Sequence, residues 1–120
     1  MDCGSLYYQT GSLIIKYCYR TTNRWERIRG ILGRGKLSSD SALYINNCDC
    51  IHTFFLKTHI SAIFLDNENR ILEIVNDMKP WRLRFQNNAS SAIIVNPEKL
   101  KVMNLRKGYL VNWRFDKHLW

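Results

Sequence analysis

Several short segments rich in β-branched and aromatic residues most constrain what this chain can fold into. Such residues favour strands, and polar or glycine-containing stretches separate the segments, as is typical between strands. The segment at 92–95, Ala-Ile-Ile-Val, is apolar at every position and predicts a central strand buried on both faces. The other predicted strands cover residues 13–19, 42–45, 60–65, 70–75 and 109–113.

Turn and capping residues add local detail to this pattern. The polar sequence at 66–69 predicts a turn, so the flanking strands are expected to form a hairpin. Thr21 and Thr22 are suited to cap a short helix over residues 23–31. A second helix is predicted from Asn96 as N-cap and Pro97 at the first helical position, with its end before Gly108.

Short strands outnumber helices and do not alternate with them regularly. This pattern predicts an α+β fold that is mostly β. We expect a small mixed or antiparallel sheet, curled toward a barrel, with two short helices at its edges. A length of 120 residues suits one domain spanning residues 1–120, and the apolar share of 46% is sufficient for a core.

The charge balance is strongly basic, with 18 Lys and Arg residues against 10 Asp and Glu residues and a formal net charge of +8. Nucleic acid is therefore a possible partner. The alternative is a set of scattered, solvated cations, because the basic residues form no long block. No apolar run reaches the roughly 20 residues of a membrane span, and no export signal is recognised, so the expected location is the cytoplasm, where thiols stay reduced.

The segment from Cys48 to His52 is the strongest local candidate for chemistry. On an extended strand Cys48, Cys50 and His52 would share one face, and thiolate and imidazole groups are ligands for zinc or copper. The same Cys50 and His52 could serve as nucleophile and base in a small hydrolase. The alternative is that both thiols are half-buried and structural, because no second pair of metal ligands follows.

The glycine-rich basic loop at 30–36 is the other place where a ligand could be held. Backbone amides in such loops bind phosphate, but this one lacks the spacing of a nucleotide-binding loop. No cofactor is therefore predicted.

Four stretches, in their order and spacing, resemble the domain of unknown function 192 family. The resemblance covers about residues 12–113, nearly the whole chain. The stretches are Glu-Arg-Ile-Arg-Gly-Ile-Leu-Gly-Arg at 26–34, Ile-His-Thr-Phe-Phe-Leu at 51–56, Ile-Phe-Leu-Asp at 63–66 and Pro-Trp-Arg at 80–82.

The resemblance implies a compact β-rich fold with small helices and does not imply a reaction. Residues of its motifs supply the candidate ligand-binding set, which is Arg27, Arg34, His52, Thr53 and Arg82. The leading hypothesis is a non-catalytic domain that binds a small ligand or a peptide. Nucleic-acid binding through the basic surface is the first alternative, and a Cys/His hydrolase or metal-binding protein is the second.

Overall fold

A computed structural model describes residues 2–21, 38, 40–54 and 56–115. These residues form nine strands and one helix. The strands are β1 (Asp2–Tyr8), β2 (Leu13–Thr21), β3 (Ser41–Asn46), β4 (Cys50–His52), β5 (Ile60–Leu65), β6 (Ile71–Met78), β7 (Leu83–Phe85), β8 (Ser91–Val95) and β9 (Val111–Phe115), and the helix is α1 (Pro97–Val102).

Seven strands form one mixed sheet in the order β6-β5-β8-β3-β2-β1-β9. Only β2 and β3 pair in parallel, and the other neighbours are antiparallel. The predicted hairpin is confirmed as β5 and β6, which are joined by a turn in which the Asp66 carboxylate accepts the backbone N–H groups of Glu68 and Arg70. Strands β4 and β7 pair with each other in a separate two-stranded sheet.

Strand β8 lies between β5 and β3, as its apolar sequence predicts, and each of its five residues is buried. Its side chains alternate between two cores, because successive residues of a strand point to opposite faces. Ile93 and Val95 enter a first core, whereas Ala92 and Ile94 enter a second core. The main sheet therefore has packed layers on both faces at its centre.

The first core lies under α1 and extends to β9 at the edge of the main sheet. Its buried members include Leu6, Ile15, Cys18, Tyr44, Ile63, Ile93, Leu100, Met103 and Val111. The second core is covered by β4 and the segment after it. Its buried members include Leu43, Ile45, Cys48, Ile51, Leu56, Phe64, Met78 and Ile94.

The expected curl toward a barrel is not confirmed. The main sheet is open, with β6 and β9 as its edges, and within the described residues these edges share one isolated bridge, between Arg70 and Leu110. The physical reason is that the central strands are apolar on both faces, so they require a covering layer on each side rather than closure around one interior.

Of the two predicted helices, the first, at 23–31, lies outside the described residues. The second is present, and the Asn96 side chain accepts the Glu98 backbone N–H as predicted. It ends at Val102 rather than shortly before Gly108, because the chain becomes extended at Met103, whose side chain is buried in the first core. No helix in the described part of the chain has the length and hydropathy that crossing a bilayer requires.

Strand β9 is fixed to β1 through Gly4 and Trp113. A Cβ atom added to Gly4 would lie 2.5 Å from the Trp113 ring, so the ring occupies space that only glycine leaves open. The Trp113 indole N–H also donates to the carbonyl of Cys18 at 2.8 Å. These contacts attach an edge strand to the interior of the sheet.

Candidate functional site

The two-stranded sheet of β4 and β7 presents one face to the second core and the other face to solvent. Ile51 and Arg84 are direct partners and share the inner face, where Ile51 is buried. The flanking pairs, Cys50 with Phe85 and His52 with Leu83, therefore share the opposite face. We call this opposite face, together with Phe54 and Trp81 at its end, the outward face.

Three apolar side chains of the outward face are at least half exposed. Trp81 is 57% exposed, Leu83 is 50% exposed and Phe85 is 61% exposed. The rings of His52 and Phe54 lie 4.8 Å apart between centroids, and Phe54 stacks on Trp81 at 5.8 Å. A contiguous patch of exposed rings and aliphatic groups is typical of a binding surface.

Thr53 joins the end of β4 to the turn at 79–82. Its buried hydroxyl donates to the Lys79 carbonyl at 2.6 Å and accepts the Arg82 backbone N–H at 2.8 Å. Its own backbone N–H donates to the Arg82 carbonyl, and its carbonyl accepts the Trp81 N–H. Thr53 thus fixes the turn at 79–82, in which Trp81 has a φ of 63°.

On the inner face Arg84 joins the small sheet to an edge of the main sheet. Its guanidinium forms a salt bridge with the Glu73 carboxylate on β6, and the Gln86 side chain donates to the same carboxylate. The hydrogen bond from Arg84 lowers the pKa of Glu73, which keeps this carboxylate charged. The charge of Arg84 is therefore engaged away from the outward face.

His52, Thr53 and Arg82, three of the residues predicted for the site, do meet around the 79–82 turn, but they differ in environment. His52 is half-buried on β4, and burial lowers the pKa of its imidazole. Thr53 is fully buried and bonded only within the protein. Arg82 is exposed, with its guanidinium 3.4 Å from the Trp81 carbonyl. Arg27 and Arg34 lie outside the described residues.

The predicted Cys-Asp-Cys-x-His cluster does not form a set of metal ligands. Cys48 is buried below β4, where its thiol donates to the Cys50 carbonyl at 3.2 Å and burial raises its pKa to about 11. Burial also raises the pKa of the Cys50 thiol. Among the residues that the structure describes, no group of three His, Cys, Asp or Glu side chains is arranged to hold a metal ion.

Leu83 and Phe85 are the site residues that the sequence reasoning missed. The signal was present as a period-two pattern at 81–85, where Trp, Leu and Phe alternate with arginines. The pattern is short, and only the pairing with β4 shows that its apolar face points to solvent.

An open concavity lies elsewhere, between the β1–β2 turn and the segment after α1. It measures about 610 Å³ and is lined in part by Tyr8, Asn104 and Tyr109. The Tyr8 hydroxyl there accepts the Asn104 backbone N–H, so this polar contact is satisfied within the protein. The outward face, with its contiguous exposed apolar side chains, remains the stronger candidate.

Both the sequence and the fold of this chain are similar to those of known proteins. The profile of domain of unknown function 192, described as uncharacterized ACR, matches residues 16–113. The chain belongs to this family. The match confirms the resemblance of the four sequence motifs, and the β4–β7 sheet with its outward face lies within the matched residues.

Two curated proteins are similar to this chain over part of its length. A UPF0127 protein of Pyrococcus abyssi is 34% identical over 64 residues, covering 52% of this chain and 54% of that protein. A bifunctional riboflavin kinase/FMN adenylyltransferase of Buchnera aphidicola is 30% identical over 89 residues, covering 74% of this chain and 27% of that protein. The chain thus spans about half or less of the length of these curated relatives.

A solved structure shares the fold at low sequence identity. It is a protein of Sinorhizobium meliloti 1021, described as a candidate transcription regulator, with a TM-score of 0.75 and 11% identity. The alignment covers 93% of this chain and 92% of that one. This likeness establishes a shared architecture for the domain.

Proposed function

We propose that this domain is a non-catalytic binding module whose outward face holds a peptide or small apolar ligand. The observation that carries the proposal is the exposure of Trp81, Leu83 and Phe85, each at least half exposed, on one face of a sheet whose other face places Ile51 in the second core. Exposing apolar area of this kind to water costs free energy, and a ligand that covers the area removes this cost.

The chemistry of the outward face supports binding over catalysis. Burial raises the pKa of Cys50 and lowers the pKa of His52, so each favours its neutral form at neutral pH. A cysteine nucleophile requires the opposite, a thiol whose pKa is lowered by a nearby cation. The Cys/His hydrolase is therefore the weaker proposal.

Several cations of the main sheet are packed against rings. Arg20 lies 4.1 Å from the centroid of Trp113, and Arg114 lies 5.1 Å from that of Tyr7. Such pairs stabilise the sheet. The cations also cover part of the ring faces on which nucleic-acid bases would stack. Nucleic-acid binding thus remains the alternative proposal, tested below as a competing outcome.

A fluorescent probe with apolar aromatic rings and an anionic sulfonate tests the proposed face. Titration with 1-anilino-8-naphthalenesulfonate is expected to give strong enhancement with the wild-type chain. The Trp81→Ser/Phe85→Ser double variant should lose most of it. A matched control is Val102→Ser/Phe115→Ser, which removes two side chains that are 74% and 58% exposed outside the face.

Amide chemical-shift mapping by NMR then locates the bound probe. Shifts confined to residues 50–54 and 81–85 support the proposal. Equal loss of enhancement in both double variants, or shifts dispersed over the main sheet, would refute it.

A further inference from the structure

Strand β7 has an open edge. Within the described part of the chain it pairs only with β4, and its three residues are all exposed. The Thr53 N–H donates to the Arg82 carbonyl at 2.9 Å, and the Gln86 N–H donates to the Asp49 carbonyl at 2.8 Å. Hydrogen-bonded and non-hydrogen-bonded pairs alternate along an antiparallel ladder. Arg84 and Ile51 lie midway between these two bonds and therefore form a hydrogen-bonded pair.

It follows that the backbone N–H and C=O groups of Leu83 and Phe85 point away from β4. Within the described part of the chain, these backbone groups of Leu83 and Phe85 have no hydrogen-bond partner. Four backbone groups are thus directed to solvent in the geometry that receives one more strand. The same two residues carry the apolar side chains of the outward face, so an added strand would gain side-chain contacts as well.

The charges at the two ends of β7 differ. Lys79 and Arg82 are exposed at its start, and neither forms a salt bridge with a carboxylate among the described residues. The exposed carboxylate at the other end is Asp49. A complementary strand would carry acidic residues beside Arg82 and none beside Asp49.

We propose that β7 binds an extended peptide segment of a partner protein as an added antiparallel or parallel strand, with alternating apolar residues on the outward face and acidic residues at the Arg82 end. This inference rests on the proposed function and specifies its ligand. A second copy of the chain is a poorer occupant, because it would bring the same Lys79 and Arg82, and a net charge of +8, to a strand whose start already carries these two cations.

The first experiment selects ligands from a phage-displayed library of random decapeptides on the full-length chain. We expect enriched peptides to alternate apolar residues and to carry Asp or Glu near one end. A synthetic enriched peptide should lose binding when the amides facing β7 are N-methylated, and should keep it when the intervening amides are N-methylated. Replacing its acidic residues with Lys should also weaken binding.

The second experiment uses proline on the protein side. The Leu83 N–H points outward, so Leu83→Pro removes one donor without breaking the β4–β7 ladder, and Leu83→Ala is the control for the lost side chain. Leu83→Pro is expected to bind the selected peptide at least about fivefold more weakly than Leu83→Ala, since one hydrogen bond is lost. Chemical shifts of β4 in both variants verify that the small sheet is intact.

The outcomes separate this inference from the proposed function. If N-methylation is tolerated while the naphthalenesulfonate probe still binds the outward face, strand addition is wrong and the binding face stands. If neither peptide nor probe binds, both fail. Concentration-dependent dimers abolished by Leu83→Pro would identify a second copy as the occupant, and displacement of the peptide by oligothymidylate would identify a nucleic acid, each overturning the peptide assignment.

Discussion

Strands β8 and β7 are both short and rich in apolar residues, yet they lie at opposite extremes of exposure. All five residues of β8 are buried, whereas all three residues of β7 are exposed. Strand β8 has a neighbour on each edge and a core on each face, while β7, among the residues that the structure describes, has one neighbouring strand and one face against the second core. Apolar residues therefore stabilise the fold in one strand and remain available for a partner in the other.

The largest expected effect of a point mutation is in β8. Ile94→Ala should lower the free energy of unfolding by about 3 kcal/mol, because Ile94 is 1% exposed and packs in the second core. Leu83→Ala in β7 should change it by less than about 0.5 kcal/mol. Urea denaturation measures both, and equal losses would abolish the contrast between the strands.

Thr53 connects the exposed region to the packed one and should come next. Thr53→Val removes the hydroxyl from two part-buried hydrogen bonds, with the Lys79 carbonyl and the Arg82 N–H, at a cost of about 2 kcal/mol. Thr53→Ser keeps the hydroxyl and should recover most of the loss. The naphthalenesulfonate titration should weaken in parallel for Thr53→Val, because the 79–82 turn positions Trp81; unchanged binding by this variant would show that Trp81 does not depend on it.

His52 gives a smaller effect that depends on pH. Burial lowers the pKa of His52 in the folded state, so the unfolded chain binds the proton first as the pH falls. Its contribution to stability is present above the ordinary histidine pKa near 6.5 and is lost as the pH falls through the lower folded value. His52→Gln should therefore flatten the stability curve in the mildly acidic range, and an unaltered slope would argue against burial of the ring.

The Glu73–Arg84 salt bridge should have the smallest effect. Both side chains are partly exposed, and screening by water and salt weakens such pairs. The pKa of Glu73 is lowered in the fold, so its contribution is present above the ordinary glutamate pKa and disappears as the pH falls through the folded value. Glu73→Gln should differ slightly from wild type at pH 7 and converge with it in acid. A difference that persists in acid would assign the effect to packing.

The sequence predicts the strands whose signal is local. Residues 13–19, 60–65 and 92–95 are continuous β-forming runs, and their strands lie where expected. Strand β1 was missed because Gly4 and Ser5 interrupt its apolar pattern, and its stability comes from pairing with β2 and β9. Such long-range pairing leaves no local signal.

The geometry of the candidate site also depends on contacts between distant parts of the chain. His52 and Arg82 stay predictions as ligand-binding residues; the structure places His52 opposite Leu83, the residue that follows Arg82. Thr53 was predicted to contact a ligand, a role that stays a prediction, and its hydroxyl is used in hydrogen bonds that hold the turn. The exposure of Leu83 and Phe85 depends on which face of β7 meets the core, and a three-residue strand does not encode that choice in its own sequence.

The Gly4 and Trp113 contact has a consequence for alignment of the last strand. Sliding β9 by one residue along β1 would turn Trp113 to the other side of the sheet and place its neighbours against Gly4. Only the observed alignment puts the indole over the one position without a Cβ. Gly4 and Trp113, which lie more than a hundred residues apart, thus together fix the alignment of β9 on β1. We expect relatives that change one of these residues to change the other as well.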